Sequence, residues 1–124
     1  MWIKANPNPM NKEVPDCVIR AVCIALNLDW YQAFDEICAV ARDDCNMPSA
    51  DTVWGRYLYE KGFRPLILPN YCPACLTVRD FTNIFPVGRY IIGTGSHAVA
   101  VINGNHYDSW DSSSEICSFY WTID

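Results

Sequence analysis

The chain has no cluster of Lys or Arg. Nine basic residues stand against 14 acidic ones, for a formal charge of -5, which argues against nucleic acid or an anionic membrane as partner. No apolar run approaches the roughly 18 residues of a membrane span. The opening Met1-Trp2-Ile3-Lys4-Ala5-Asn6-Pro7 lacks the apolar core of a signal peptide, so a cytoplasmic protein is expected. Repeats, low-complexity stretches and linkers are missing too, which leaves one domain over residues 1–124 and no motif that asks for a cofactor. Histidine is scarce: any chemistry that needs an imidazole must use His97 or His106.

What is present is apolar. A hydrophobic fraction of 51%, with 14% aromatic, is ample for one packed core. The seven cysteines are an odd number, and without a secretory signal they read as reduced thiols rather than a disulfide framework. Cys72-Pro73-Ala74-Cys75 has the spacing of half a zinc knuckle. The second Cys-x-x-Cys or His pair is missing, so these two read as thiols in a proline-bounded loop, and no metal is expected.

The prolines at 7, 9 and 15 make residues 1–16 an extended lead-in. Asp16 is then placed to cap a helix over residues 17–26, apolar nearly all round and hence buried, which stops near Asn27. Asp29 with Gln32 resembles a capping box for a surface helix carrying Trp30, Ala33, Phe34, Ile37, Cys38 and Ala41 at helical spacing. Ser49 is expected to cap a third helix with Val53, Trp54, Tyr57 and Leu58 on one face and Gly62 as its stop. Residues 63–68 read as a short strand, and Thr77 as the cap of a turn or two over 78–84 before Pro86. Beyond Gly88, residues 89–92, 97–102, 105–110 and 116–121 read as strands of an antiparallel sheet. Helices first and strands after predict an α+β fold.

Cys17 differs from the other cysteines by opening a helix, where free N–H groups and the dipole favour a thiolate, the nucleophilic form. The opposing reading is a small buried hydrophobe like Cys23. Asn103-Gly104 is the strongest short hairpin signal and predicts a two-residue type I′ turn. Ile102 then pairs with Asn105, Val101 with His106, Val99 with Asp108 and His97 with Trp110, so Asp108 is diagonal to His97. A diagonal separation of about 7–8 Å lets a carboxylate reach an imidazole and fix its tautomer. His106 falls about 13 Å down the strand, beside the turn, and is assigned to the surface. A three-residue turn would instead bring Asp111 opposite His97, but Asp111 also fits a turn role in Asp108-Ser109-Trp110-Asp111-Ser112. Ala98 and Ala100 leave one strand face flat, suited to a close helix.

The order Cys, His, Asp, with Asp16-Cys17-Val18-Ile19-Arg20-Ala21 opening a buried helix and Ser96-His97-Ala98-Val99-Ala100-Val101 opening a strand, resembles the papain-like superfamily of cysteine peptidases. Within it the chain is similar to compact bacteriocin-leader-processing peptidases and their small relatives in bacteria and phages, over residues 6–121. The resemblance implies a central helix with the nucleophile at its N-terminus, packed on an antiparallel sheet that carries base and orienter. It also implies an oxyanion hole made by the nucleophile's own N–H and a glutamine about six residues upstream. Asn11 stands at that position, offering the same amide on a shorter arm, with Asn6 and Asn8 as alternatives and a simple turn residue as the bland reading.

Two readings of function follow. One is a hydrolase of a peptide or protein substrate, attacking an amide or thioester carbonyl through Cys17 with His97 and Asp108. The other is a catalytically silent binding module on the same fold that sequesters a partner protein, which the Asn11 departure favours. A zinc-stabilised domain on Cys72 and Cys75 is the weakest alternative. Of the aromatics Trp54, Tyr57, Tyr59, Tyr71, Tyr107, Trp110 and Trp121, most are expected in the core. Trp110, beside His97, is the exception and the candidate substrate contact.

Overall fold

The computed structural model describes residues 1–68 and 75–123. Among these, the order is β1 (Trp2–Lys4), α1 (Cys17–Leu26), α2 (Trp30–Asp43), α3 (Asp51–Glu60), β2 (Arg64–Ile67), α4 (Val78–Ile84), β3 (Arg89–Gly93), β4 (Ala98–Ile102), β5 (Asn105–Asp108) and β6 (Phe119–Ile123). The fold is α+β, as expected.

Helix ends follow local chemistry, with two corrections. Asn27 closes α1 in the left-handed conformation, its N–H bonded to the Cys23 carbonyl. Asp16 makes no side-chain cap. Its carboxylate is taken by Arg20, Trp30 and Asn8 instead. Asp29 does cap α2 by accepting from the Gln32 N–H, but the Gln32 amide turns to Glu36, so only half of the box forms. Ser49 does not cap α3, which starts after Ala50 with no side-chain cap. On α4 the box is complete, with Thr77 and Asp80 satisfying each other's backbone N–H.

The six strands form one sheet in the order β1-β5-β4-β3-β6-β2. It is mixed rather than purely antiparallel, because β1 runs parallel to β5 with Trp2 opposite His106. Three residues carry no alternation to read, and so the lead-in hid a strand. The expected strand at 116–121 begins later, at Phe119. Ile116 instead bridges Thr77, and the Cys117 and Ser118 N–H groups bond Leu76 and Gly93, so this stretch is held as the connection passes α4.

Both sheet faces are covered. On one, Ile91, Ala98 and Ala100 pack with Ile19, Val22 and Cys23 of α1 and with residues of α2 and α3. The flat alanine face thus receives the Cys17 helix. On the other, Ile92, Val101 and Tyr120 pack against Val78 and Phe81 of α4. The alternation of Ile91 with Ile92 and of Ala100 with Val101 sorts the two cores. His106 is only 1% exposed, which corrects its assignment to the surface. It sits in the second strand from an edge, flanked by β1 and β4, and the segment carrying Ser113 closes over it.

Cys75 is disulfide-bonded, so the expectation of reduced thiols throughout fails there, and an oxidised sulfur cannot serve as a thiolate ligand. Cys72, with which it was expected to form a pair of thiols, lies outside the described residues, as does Tyr71. No helix among the described residues is long and apolar enough to cross a membrane.

Candidate active site

The turn between β4 and β5 is the two-residue form. Asn103 and Gly104 both have positive φ, at 49° and 80°, and Ile102 faces Asn105, Val101 His106 and Ala100 Tyr107. The ladder stops there. His97 precedes β4 and Asp108 ends β5, so both side chains stand at the same end of the hairpin rather than within its paired face. In that position His97 reaches past the alanines to the N-terminus of α1. The turn back from β3 holds it in place, with the Thr94 N–H donating to the His97 carbonyl at 2.9 Å.

Nε2 of His97 lies 2.5 Å from Oδ2 of Asp108. Asp108 is buried and also accepts from the Ser112 hydroxyl and the Ser109 N–H, each at 2.8 Å. Burial alone would raise its carboxyl pKa, but these donors and the imidazole hold it below the usual range. With Nε2 engaged, Nδ1 is left for the thiol of Cys17. Burial pushes that thiol up. Hydrogen bonds from His97 and the Ala98 N–H, with the charges of His97 and Arg20, overcome this and bring it below its ordinary value. His97 answers in kind: burial lowers it, yet Asp108 and Cys17 lift it to about 9. Burial instead dominates at Cys23, pushed up to about 11, and at Cys117, pushed up to about 12.

Cys17 and His97 sit between two hollows. The larger, about 510 Å³, is bounded by Glu13, Ser96, Ser109 and Trp110. The smaller, about 250 Å³, is bounded by Ser49, Asp51, Trp54 and Gly95. Trp110 is 44% exposed, and its ring lies 4.9 Å from that of His97. Trp54 and Tyr57 are core residues, Trp54 also edging the smaller hollow. Tyr59 is exposed, whereas Tyr107 and Trp121 are half-buried.

The structure brings Cys17, His97, Asp108 and Trp110 together, and Asn11 does not join them. It occupies an exposed left-handed turn at φ 51°, its N–H bonded to Asn8 and its side-chain oxygen accepting from Asn6. Asn6 and Asn8 are likewise committed, Asn6 to Asn11 and Lys12, Asn8 to Asp16 and the local backbone. The backbone N–H groups opening α1 remain as donors for an oxyanion. Asp111 stays in its turn, accepting from the Ser113 N–H and hydroxyl. It approaches His106 at 3.7 Å, but on the same Nε2 that Ser113 contacts. These three therefore lack the two-sided grip on the ring that makes a triad.

Sequence reasoning missed Arg20 and Ser112, both of which reach Asp108. Ser112 has no signal of its own. Arg20 has one: it is the single charged residue in the segment Cys17–Leu26.

Comparison with protein-family models, curated proteins and solved structures gives no match to this chain.

Proposed function

We propose that the chain is a cysteine hydrolase of papain-like type acting on a peptide or protein substrate, with Cys17 as nucleophile, His97 as acid and base, and Asp108 as orienter. The observation that carries this reading is His97 held at 2.5 Å by Asp108 on one nitrogen while its hydrogen bond and charge lower the Cys17 thiol on the other side. The thiolate attacks the carbonyl carbon, forming a C–S bond and an oxyanion next to the helix N-terminus. His97 gives its Nδ1 proton to the leaving nitrogen as the C–N bond breaks. Water, deprotonated by His97, then cleaves the thioester and releases the carboxylic acid and the thiolate.

Mild iodoacetamide labelling with peptide mapping tests the nucleophile: Cys17 should react ahead of Cys23 and Cys38, whose thiols are pushed up. Preferential modification of those two with Cys17 silent would count against the reading. A second reading, a silent module that binds a partner protein, draws support from Asn11 pointing into its own turn. Peptide thioesters separate the two. A Cys17 acyl-enzyme detected by mass spectrometry favours the hydrolase, and a thiol that alkylates readily but never acylates favours the module.

A further inference from the structure

Arg20 stands three residues after Cys17 on α1, on the same side of the helix. It is buried, at 8% exposure, and its guanidinium is shared between two carboxylates. Nη1 lies 2.6 Å from Oδ1 of Asp16, and Nη2 lies 3.5 Å from Oδ1 of Asp108. The other Asp108 oxygen is the one that holds His97. Asp16 is itself pinned by the Trp30 indole N–H at 3.0 Å and the Asn8 amide at 3.2 Å.

A buried ion network of this kind is a poor means of stabilising a helix, because desolvating the charges offsets most of their attraction and apolar residues of similar volume do as well or better. Every neighbour of Arg20 on α1 from Val18 to Cys23 is apolar and buried, so an apolar residue would suit the packing. The network ends on the one carboxylate that faces the imidazole. The charged and titratable groups around it are Asp16, Cys17, His97 and Asp108, with Glu13 across the hollow.

We infer that Arg20 is a positioning residue for the thiol–imidazole pair: from the helix that carries the nucleophile it grips Oδ1 of Asp108, the oxygen that also accepts the Ser109 N–H and not the one that holds His97, and so fixes the hairpin that carries the base against that helix. The inference rests on the hydrolase reading. Arginine suits this role because its planar fork spans two carboxylates at once, whereas lysine presents a single point.

The test is the pH dependence of Cys17 alkylation by iodoacetamide, with thermal melts, in the intact chain and its variants. Arg20→Met should melt lower, because two buried carboxylates lose their cation. The double variant Asp16→Asn with Arg20→Met removes the opposing pair and should recover much of that melt. Its alkylation midpoint should nevertheless stay about one pH unit above wild type, the size of effect expected from one displaced charge partner. Arg20→Lys keeps the charge and should fold, with a midpoint shifted in the same direction by a smaller amount. A wild-type profile in the double variant would show that Arg20 serves only Asp16, and overturns the inference. Should the double variant not fold, an unshifted Arg20→Lys profile overturns it equally. If wild-type Cys17 labels no faster than the other thiols, the hydrolase reading fails and takes this inference with it; a wild-type preference for Cys17 combined with an unshifted midpoint in the double variant overturns the inference alone.

Discussion

Oδ2 of Asp108 meets Nε2 of His97 at 2.5 Å across 11 residues of chain, and the separation is set by a two-residue turn. A third residue in that turn would exchange the faces presented by Asp108 and Asp111. In the folded chain the two aspartates have separate partners. Asp108 is buried against His97, Ser112 and Arg20, while Asp111 is exposed and serves Ser113.

The two aspartates should therefore respond differently to substitution. Asp108→Asn is expected to keep the fold and slow Cys17 acylation, since an amide still holds the ring but cannot offset the imidazolium charge. Asp108→Ala should cost more, as Arg20 and Ser112 lose a partner as well. Asp111→Ala should change stability by about 1 kcal/mol or less and spare acylation. Acylation rates with melts on all three variants decide the matter. Loss of activity in Asp111→Ala with Asp108→Ala spared would mean that the orienter is misassigned.

The reactive pair sets a pH window. Cys17 lies below its ordinary value and His97 near 9, so between them the pair holds thiolate and imidazolium together. Acylation should rise as pH increases through the lowered thiol value, and fall as the imidazolium loses its proton near pH 9. Alkylation, which needs only the thiolate, should rise on the same acid limb and not fall on the alkaline side. An acylation rate that keeps climbing well past pH 9 would remove His97 from the role of acid.

Most of the site could be read because its parts obey short-range rules. A helix start, a hairpin turn and the period of two along a strand are local signals, and they led to Cys17, His97 and Asp108. What escaped depends on chain segments distant in sequence. The strand Trp2–Lys4 is too short to show a pattern, yet with β4 it encloses His106. Asp16 looked like a helix cap because only its neighbours were visible, whereas Trp30 and Asn8 claim its carboxylate. Asn11 matched a family position by count alone, and its left-handed turn is decided by Asn6 and Asn8.

Gly93, at the end of β3, faces Phe119 in the ladder, and a Cβ there would overlap the Phe119 ring. That ring is stacked on Trp54 at 5.7 Å, so it cannot move aside freely. Gly93→Ala should cost about 1–3 kcal/mol, the usual penalty of overpacking. It should also loosen the turn through Thr94 that holds His97. Combining it with Phe119→Leu should restore part of the melt if the ring is the cause. An unaltered Gly93→Ala melt would show that the sheet accommodates the methyl group.

His106 should make the fold sensitive to acid, independently of the reactive pair. Its ring is buried, Nε2 contacts the Ser113 hydroxyl at 3.3 Å, and Nδ1 has no hydrogen-bond partner among the described residues. Protonation would bury a charge whose second N–H finds no acceptor. Burial, helped by the positive charge of the N-terminal ammonium, holds the imidazole below its ordinary value, outweighing the opposing charges of Asp111 and Asp108 and the Asp111 hydrogen bond. An unfolded histidine titrates near 6.5, so as pH falls below about 6.5 the unfolded chain takes up this proton before the native one does. Stability then falls with pH, by at most about 1.4 kcal/mol per unit from this group, until the native value is reached; above 6.5 the group contributes no slope. His97 has the opposite sign, because its raised value stabilises the fold below about 6.5 and that contribution is lost as pH rises toward 9. Below about pH 6.5, where the His97 contribution is already complete, denaturant midpoints measured from pH 6.5 down to 5.5 should therefore drop for wild type and drop less for His106→Gln, which keeps an amide near Ser113 but does not titrate. Equal slopes for the two proteins would mean that His106 is not the source of the acid sensitivity.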